Sequence, residues 1–254
     1  MARIISLANQ KGGVGKTTST NAIAVCLKHR GFRVLCIDFD PQSNLSFSMD
    51  ADLSDKSPKI YDVLKHVVKC RHAIQRTPIV DIIPTDLLLA GLELEFTTRG
   101  REFILKDCLQ SIASYYDYIL IDTPPELGIL TINAFTAADV ILIPCLADGY
   151  SLQGVLRLHE TIGRVQSYLN PGLRIGGIFL VRYYPREELS RTARETAAMI
   201  AQRLQVPLLK STIRHSNVIA KAHNLQKDMI AYAPGNIVVK DYIALVGELL
   251  KGGL

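Results

Sequence analysis

Short, unbroken apolar runs alternate along this chain with longer stretches in which apolar residues recur every three to four positions. Runs of the first kind suit strands buried on both faces, and stretches of the second kind suit helices with one apolar face. Their alternation predicts an α/β fold, a mostly parallel twisted sheet with helices on both faces. The predicted strands cover residues 4–8, 34–37, 80–83, 118–121, 140–143 and 175–181. The predicted helices cover 17–30, 101–115, 127–138, 152–169, 187–204 and 238–250. Between 42 and 101, charged and apolar residues fit several short helices or loops. No Pro-, Gly- and Ser-rich linker, internal repeat or low-complexity tract breaks the pattern, so a single domain over 1–254 is expected.

Composition narrows the class. With 254 residues, 48% of them apolar and 21% charged, the chain can bury a core, and collagen, coiled coil and wholesale disorder are excluded. Cys26, Cys36, Cys70, Cys108 and Cys145 are dispersed without a CxxC pair, which suggests neither a zinc site nor a disulfide framework and points to a reducing compartment. The run at 4–8 is too short for a signal peptide, and the longest runs, such as 140–147, are strand-sized. A soluble, cytoplasmic protein without stable membrane association is expected. Net charge is +5 but unevenly spread: residues 1–150 carry 15 Lys and Arg against 17 Asp and Glu, whereas 151–254 carry 14 against 7. The basic excess fits a polyanion partner or a solvated basic face, and charge alone does not separate these.

The first predicted strand runs into Asn9-Gln10-Lys11-Gly12-Gly13-Val14-Gly15-Lys16-Thr17-Thr18, which opens the first predicted helix. Glycines here let successive backbone N–H groups turn inward on a phosphate, and the helix N-terminus adds its positive end. Lys16 would neutralise the β and γ phosphates and the Thr17 hydroxyl would bind Mg²⁺, which makes this a P-loop. It is a deviant one, because Gln10 stands where the usual spacing has Gly, and Lys11 is additional. Two lysines five residues apart exceed what one triphosphate tail requires. Taken alone, a glycine-rich turn that binds nothing is the alternative.

Two further elements follow in order. Leu35-Cys36-Ile37-Asp38-Phe39-Asp40-Pro41-Gln42 places two carboxylates at the C-terminal end of the second strand, the edge where ligands bind in open α/β sheets. Tyr118-Ile119-Leu120-Ile121-Asp122-Thr123-Pro124-Pro125 ends an apolar run in one carboxylate, which suits a Walker-B aspartate holding Mg²⁺. Asp at a strand end is commonly a turn former, so it is the combination that carries weight. The six histidines show no ligand spacing, and no catalytic His or Cys constellation supports a metabolic enzyme on the same scaffold.

KGGVGKTT, IDFDPQSN and YILIDTPPELG, in this order and spacing, resemble the ParA/Soj family of chromosome and plasmid partitioning ATPases, within the deviant Walker A class that includes MinD. The likeness covers nearly the whole chain. It takes in Ile143-Pro144 with Tyr150-Ser151-Leu152-Gln153-Gly154 and, more loosely, 212–222 and 230–232. The resemblance implies ATP and Mg²⁺ as cofactors, with the nucleotide held by Lys11, Gly12, Gly13, Val14, Gly15, Lys16, Thr17 and Thr18. It implies that Lys11 reaches the nucleotide of a second subunit, so that ATP is sandwiched in a homodimer. Catalytic roles fall on Lys11, Lys16 and Asp40, with Asp40 positioning the attacking water, and metal ligation falls on Thr17, Asp40 and Asp122. Asp38 is expected to support these groups from behind. The chain departs from the family at Arg214, often Pro, at Lys221, often Glu, and at Val181-Arg182, often Asn or Thr-Met; these positions contact the base or pack the nucleotide edge.

Only eight residues precede Asn9, so no N-terminal helix-turn-helix for operator reading is expected. By resemblance to the shorter, Soj-like members, the ATP dimer would bind DNA without sequence preference through basic residues of the C-terminal half. Candidates are Arg186, Arg191, Arg194, Arg203, Lys210, Arg214 and Lys221, each of which is individually as well read as a solvated helix face. The implied function is segregation of a DNA cargo, in association with the nucleoid and switched off by hydrolysis, with a ParB-type centromere-binding activator as partner. The rival is a MinD-like ATPase cycling on membranes through a basic amphipathic C-terminal helix. The stretch from Asp241 to Leu250 has helical apolar spacing but only Lys251 as a nearby cation, which suits core packing better.

Overall fold

The computed structural model describes residues 1–97 and 99–254, and the side chains of all of these except 93, 94 and 149–153. The first half runs β1 (Arg3–Leu7), α1 (Lys16–Lys28), β2 (Val34–Asp38), α2 (Asn44–Ser48), α3 (Ile60–Leu64), β3 (Asp81–Ile83), α4 (Leu92–Glu95), α5 (Ile104–Gln110) and β4 (Tyr118–Asp122). The second runs α6 (Ile129–Ala137), β5 (Val140–Leu146), α7 (Gly149–Tyr168), β6 (Arg174–Tyr183), α8 (Glu188–Leu204), β7 (Ile213–Arg214), α9 (Val218–Asn224), α10 (Met229–Tyr232) and α11 (Ile237–Lys251). Among the described residues the strands form one sheet in the order β3-β2-β4-β1-β5-β6-β7, with every ladder parallel.

The unbroken apolar runs are explained by burial on both sides: every residue of β2 and of β4 is buried. One face of the sheet packs on α3, α5, α6, α7 and α8, through residues such as Val63, Leu109, Phe135, Leu158 and Ala197. The other packs on α1, α9, α10 and α11, through Ile23, Ile219, Met229, Tyr242 and Leu245. The C-terminal helix α11 therefore spends its apolar stripe on α1. No helix among the described residues is long and apolar enough to cross a membrane.

The expected elements are present, with shifted ends. The helix expected over 101–115 is only Ile104–Gln110. Arg101 is turned to the Phe96 carbonyl, and the Ala113 carbonyl accepts the backbone N–H of Ala2, so both flanks are committed to tertiary contacts. The strand expected over 175–181 is longer, Arg174–Tyr183, and β7 beside it was unexpected because two residues carry no period. At Gly177, φ is +152° and a Cβ would stand 2.8 Å from Leu209, so only glycine lets β6 and that leucine pack this closely. The segment 42–101 resolves into α2, α3, β3, α4 and two single 3₁₀ turns.

Candidate functional site

The strand order sets β2, β4 and β1 side by side, so their C-terminal ends open on one crevice. Asp38 is the register partner of Asp122, which in turn pairs with Leu7, the last residue before the glycine loop. The three motifs, spread from residue 9 to residue 125 of the chain, are thus joined by parallel register.

The loop from Ala8 to Gly15 is shaped from within. Gly13 and Gly15 have φ of +73° and +77°, a conformation costly for residues with a Cβ. Val14 is fully buried, so its contribution to a ligand is its backbone N–H. Gly15 caps α1 without a side-chain hydrogen bond, and no acidic residue lies in the first turn, which leaves the helix N-terminus free for an anion. Asn9 ties the loop down: its amide nitrogen donates to the Pro144 carbonyl at 2.8 Å, and its Oδ1 accepts the Lys11 backbone N–H at 3.0 Å. This link from the loop to β5 has no signature in the spacing of the motif.

The two lysines have different surroundings. Lys16 is buried, donates to the Asn9 carbonyl at 3.2 Å and lines a cavity of about 320 Å³ with Gly13, Thr17, Thr18 and Asp40. Burial pulls its ammonium below the usual lysine range, against the opposing fields of Asp122, Asp40 and Glu126. Lys11 is half-exposed, is absent from the walls of that cavity, and pairs with Asp148 at 3.0 Å.

The carboxylates are graded by burial. Asp122 is fully buried, and its Oδ1 accepts the Thr20 hydroxyl at 3.2 Å while, among the described residues, Oδ2 has no hydrogen-bond partner. Burial, then the neighbouring Asp38, pushes its carboxyl up to about 8, with the Thr17 hydroxyl and Lys16 pulling the other way. Burial likewise raises Asp38 to about 7, although it accepts both the backbone N–H and the hydroxyl of Ser46 at 2.7 Å. The negative charge of Asp38 on the neighbouring strand thus adds to burial in favouring the neutral form of Asp122. Asp38 also accepts the Asp40 backbone N–H at 3.3 Å, so it orients the Asp40 loop rather than facing the cavity. Asp40 itself is half-buried and borders both the 320 Å³ cavity and a neighbour of about 440 Å³ walled by Pro41, Pro124 and Glu126.

Among the described residues, no cluster of three or more His, Cys, Asp or Glu encloses a metal. The orphaned Asp122 Oδ2, the Thr17 hydroxyl and Asp40 instead offer a few oxygens on one side, an arrangement that suits a divalent cation completed by phosphate oxygens and water. A cavity of about 590 Å³ near Arg33, Val34 and Asp81 contains none of the motif residues.

The basic candidates are scattered over the C-terminal part. Arg191 and Arg203 lie exposed on α8, whose inner face is Ser190, Ala193, Ala197 and Ala201. Arg186 is exposed before that helix and Lys221 on α9. The structure brings Arg194 to Lys210, whose carbonyl it approaches at 3.5 Å. Arg214 is different: its guanidinium is committed to Asp241, with Nε donating to Oδ2 at 2.9 Å. The side chains of Tyr150, Ser151, Leu152 and Gln153, part of the noted likeness, lie outside the described residues. Thr20, Ser46 and Asp148 carry no motif signature, because helix packing and chain reversal, not local spacing, bring them to Asp122, Asp38 and Lys11.

The chain matches the family model described as AAA domain over residues 2–175. It is similar to the sporulation initiation inhibitor protein Soj of Bacillus subtilis, with 36% identity over 256 residues and 100% of both chains covered. It is similar to the chromosome partitioning protein ParA of Caulobacter vibrioides, with 35% identity covering 98% of this chain and 94% of that one. Among solved structures it resembles a Mycobacterium smegmatis protein described as cobyrinic acid a,c-diamide synthase and crystallised with ADP and magnesium, with a TM-score of 0.85 and 32% identity over 99% of this chain and 95% of that one.

Proposed function

This chain belongs to the Soj/ParA family of chromosome-partitioning proteins, and from that premise we propose that it is a Mg²⁺-dependent ATPase. In the proposed cycle it dimerises around ATP, binds DNA without sequence preference as the dimer, and lets go after hydrolysis to drive segregation of a DNA cargo. The observation that carries this reading is the division between the two loop lysines. Lys16 serves the loop's own cavity, whereas Lys11 stands outside it on the surface, where a second copy can be reached once the Asp148 pair opens.

The chemistry is positioning and charge neutralisation. The inward N–H groups of Gly12 to Thr18 hold the phosphates, and Lys16 compensates their charge within its own subunit. Thr17, Asp40 and Asp122 would hold Mg²⁺, which supplies neutralisation at the β and γ phosphates. Asp40, at the junction of two cavities, orients the attacking water, with its backbone held by Asp38. Lys11 of one copy would compensate charge on the other copy's nucleotide, which couples hydrolysis to assembly.

DNA contact falls on Arg186, Arg191, Arg194, Arg203, Lys210 and Lys221, and a centromere-binding partner of ParB type would stimulate turnover. The burial of Val238, Tyr242 and Leu245 of α11 against α1 and the sheet supports a packing role for that helix over a membrane one. The decisive experiment is sedimentation with ATP and Mg²⁺. A dimer for the natural chain and a nucleotide-bound monomer for Lys11→Ala are expected, and a normal ATP dimer in that variant refutes the sandwich.

A further inference from the structure

At the end of β6 the parallel ladder to β7 slips: Val181 pairs with Ile213 and Tyr183 with Arg214, which leaves Arg182 as a bulged residue. Its φ is +51°, in the left-handed region that a residue with a long side chain adopts at a cost. Bulges beside sites commonly re-aim one side chain. Here the re-aimed side chain is exposed and, among the described residues, has no hydrogen-bond or ion-pair partner.

Arg182 borders two cavities that also share Gly15, Thr18 and Ala220. The larger contains Asp40 and Lys16, the end where phosphates sit. The smaller, about 140 Å³, leads from Gly15 and Thr18 away from Asp40, between Val181, Ile213 and His215. A nucleotide with its phosphates in the first cavity therefore has its nucleoside directed to the second. Several of the other polar walls of that second cavity are already engaged, while the Asn217 side chain also lines it. Arg214 is bound to Asp241, the Tyr242 hydroxyl lies 3.0 Å from Ser19, and the His215 ring is stacked on Tyr184 with centroids 5.7 Å apart. Of the two arginines on the walls of this cavity, Arg214 is locked to Asp241 and Arg182 has no partner among the described residues.

We propose that Arg182 reads the nucleotide base, and that its free guanidinium fork makes the site accept 6-oxopurine triphosphates such as GTP alongside ATP. A guanidinium offers only donors. Guanine presents two acceptors, O6 and N7, on the edge that such a fork matches, whereas adenine presents N7 beside an N6 donor. The inference rests on the ATPase reading, since it assigns the base end of the same ligand.

The test is calorimetric titration of the full chain with ATP and with GTP, each with Mg²⁺, on the natural chain, Arg182→Met and Arg182→Lys. Met keeps bulk without donors, and Lys keeps charge without the fork. GTP affinity within about tenfold of ATP is expected for the natural chain, and the GTP-to-ATP affinity ratio should fall about tenfold in both variants, the size of one lost bidentate contact. Thermal melting of the variants monitors folding, and a merely structural role would move both nucleotides together. ATP binding with GTP more than about a hundredfold weaker, or a ratio unmoved by substitution, overturns the base-reading role and leaves the ATPase reading standing. Failure of the natural chain to take up either nucleotide overturns both.

Discussion

The charged side chains of the three motifs are drawn into the sheet edge, whereas the arginines around α8 lie mostly on outer faces. Lys16, Asp38 and Asp122 are buried and bonded, and each is perturbed by its burial. Arg186, Arg191 and Arg203 are exposed to solvent. The difference teaches how each region responds to change. Buried charges act singly and at high stakes, because water cannot replace a lost partner. Exposed charges act as a sum, each contributing little.

The contrast can be broken at several points. The largest effect is expected at Asp40: Asp40→Ala should bind ATP yet lose about a hundredfold or more in turnover and accumulate as dimer, measured by phosphate release and sedimentation. Natural turnover in that variant removes Asp40 from the mechanism.

Next comes a trade between activity and stability. Because the folded pKa of Asp122 lies above its unfolded value, the folded state retains a proton that the unfolded state has released, and stability falls as pH rises from about 4 to about 8. Asp122→Asn removes that penalty. Without nucleotide it should melt higher than the natural chain, by more at pH 8 than at pH 5, while losing hydrolysis. An equal gain at both pH values would show that ionisation of this carboxyl is not the cause.

Arg214 tests whether the basic region contains one residue of the buried kind. Arg214→Ala leaves Asp241, whose side chain is only 10% exposed, without its partner, and should cost about 1–3 kcal/mol in denaturant unfolding. Arg191→Ala, by comparison, should stay within about 0.5 kcal/mol. Similar values for both would erase the distinction.

The smallest effects belong to the surface. Charge reversal at Arg191 with Arg194 should lower ATP-dependent binding to random-sequence DNA several-fold and flatten its salt dependence, with ATP affinity unaffected. Binding unchanged in gel shifts across a salt series would move the DNA surface elsewhere.

Much of this was legible from residue order. The strands were readable because β2 and β4 are buried on both faces and therefore unbroken in their apolar runs. The glycine loop was readable because a phosphate cradle needs consecutive N–H groups and conformations glycine tolerates, both properties of adjacent residues. The helix over 101–115 came out shorter because its ends are held by Phe96 and Ala2, partners no local period reveals. β7 and the Arg182 bulge left no signature, since two residues and one slipped pairing are below the length at which periodicity exists.

Residue order alone determined the α/β class, the glycine cradle and the presence of three carboxylates at strand ends, because each depends on spacing over a few positions. Tertiary structure decided that Asp38 and Asp122 are buried side by side, that Lys16 turns inward while Lys11 meets Asp148, and that Arg214 is locked to Asp241 while Arg182 is not. Those outcomes depend on which groups parallel register and helix packing bring within hydrogen-bond distance and shield from water. Contacts of that kind, between residues often a hundred or more positions apart, are absent from local pattern.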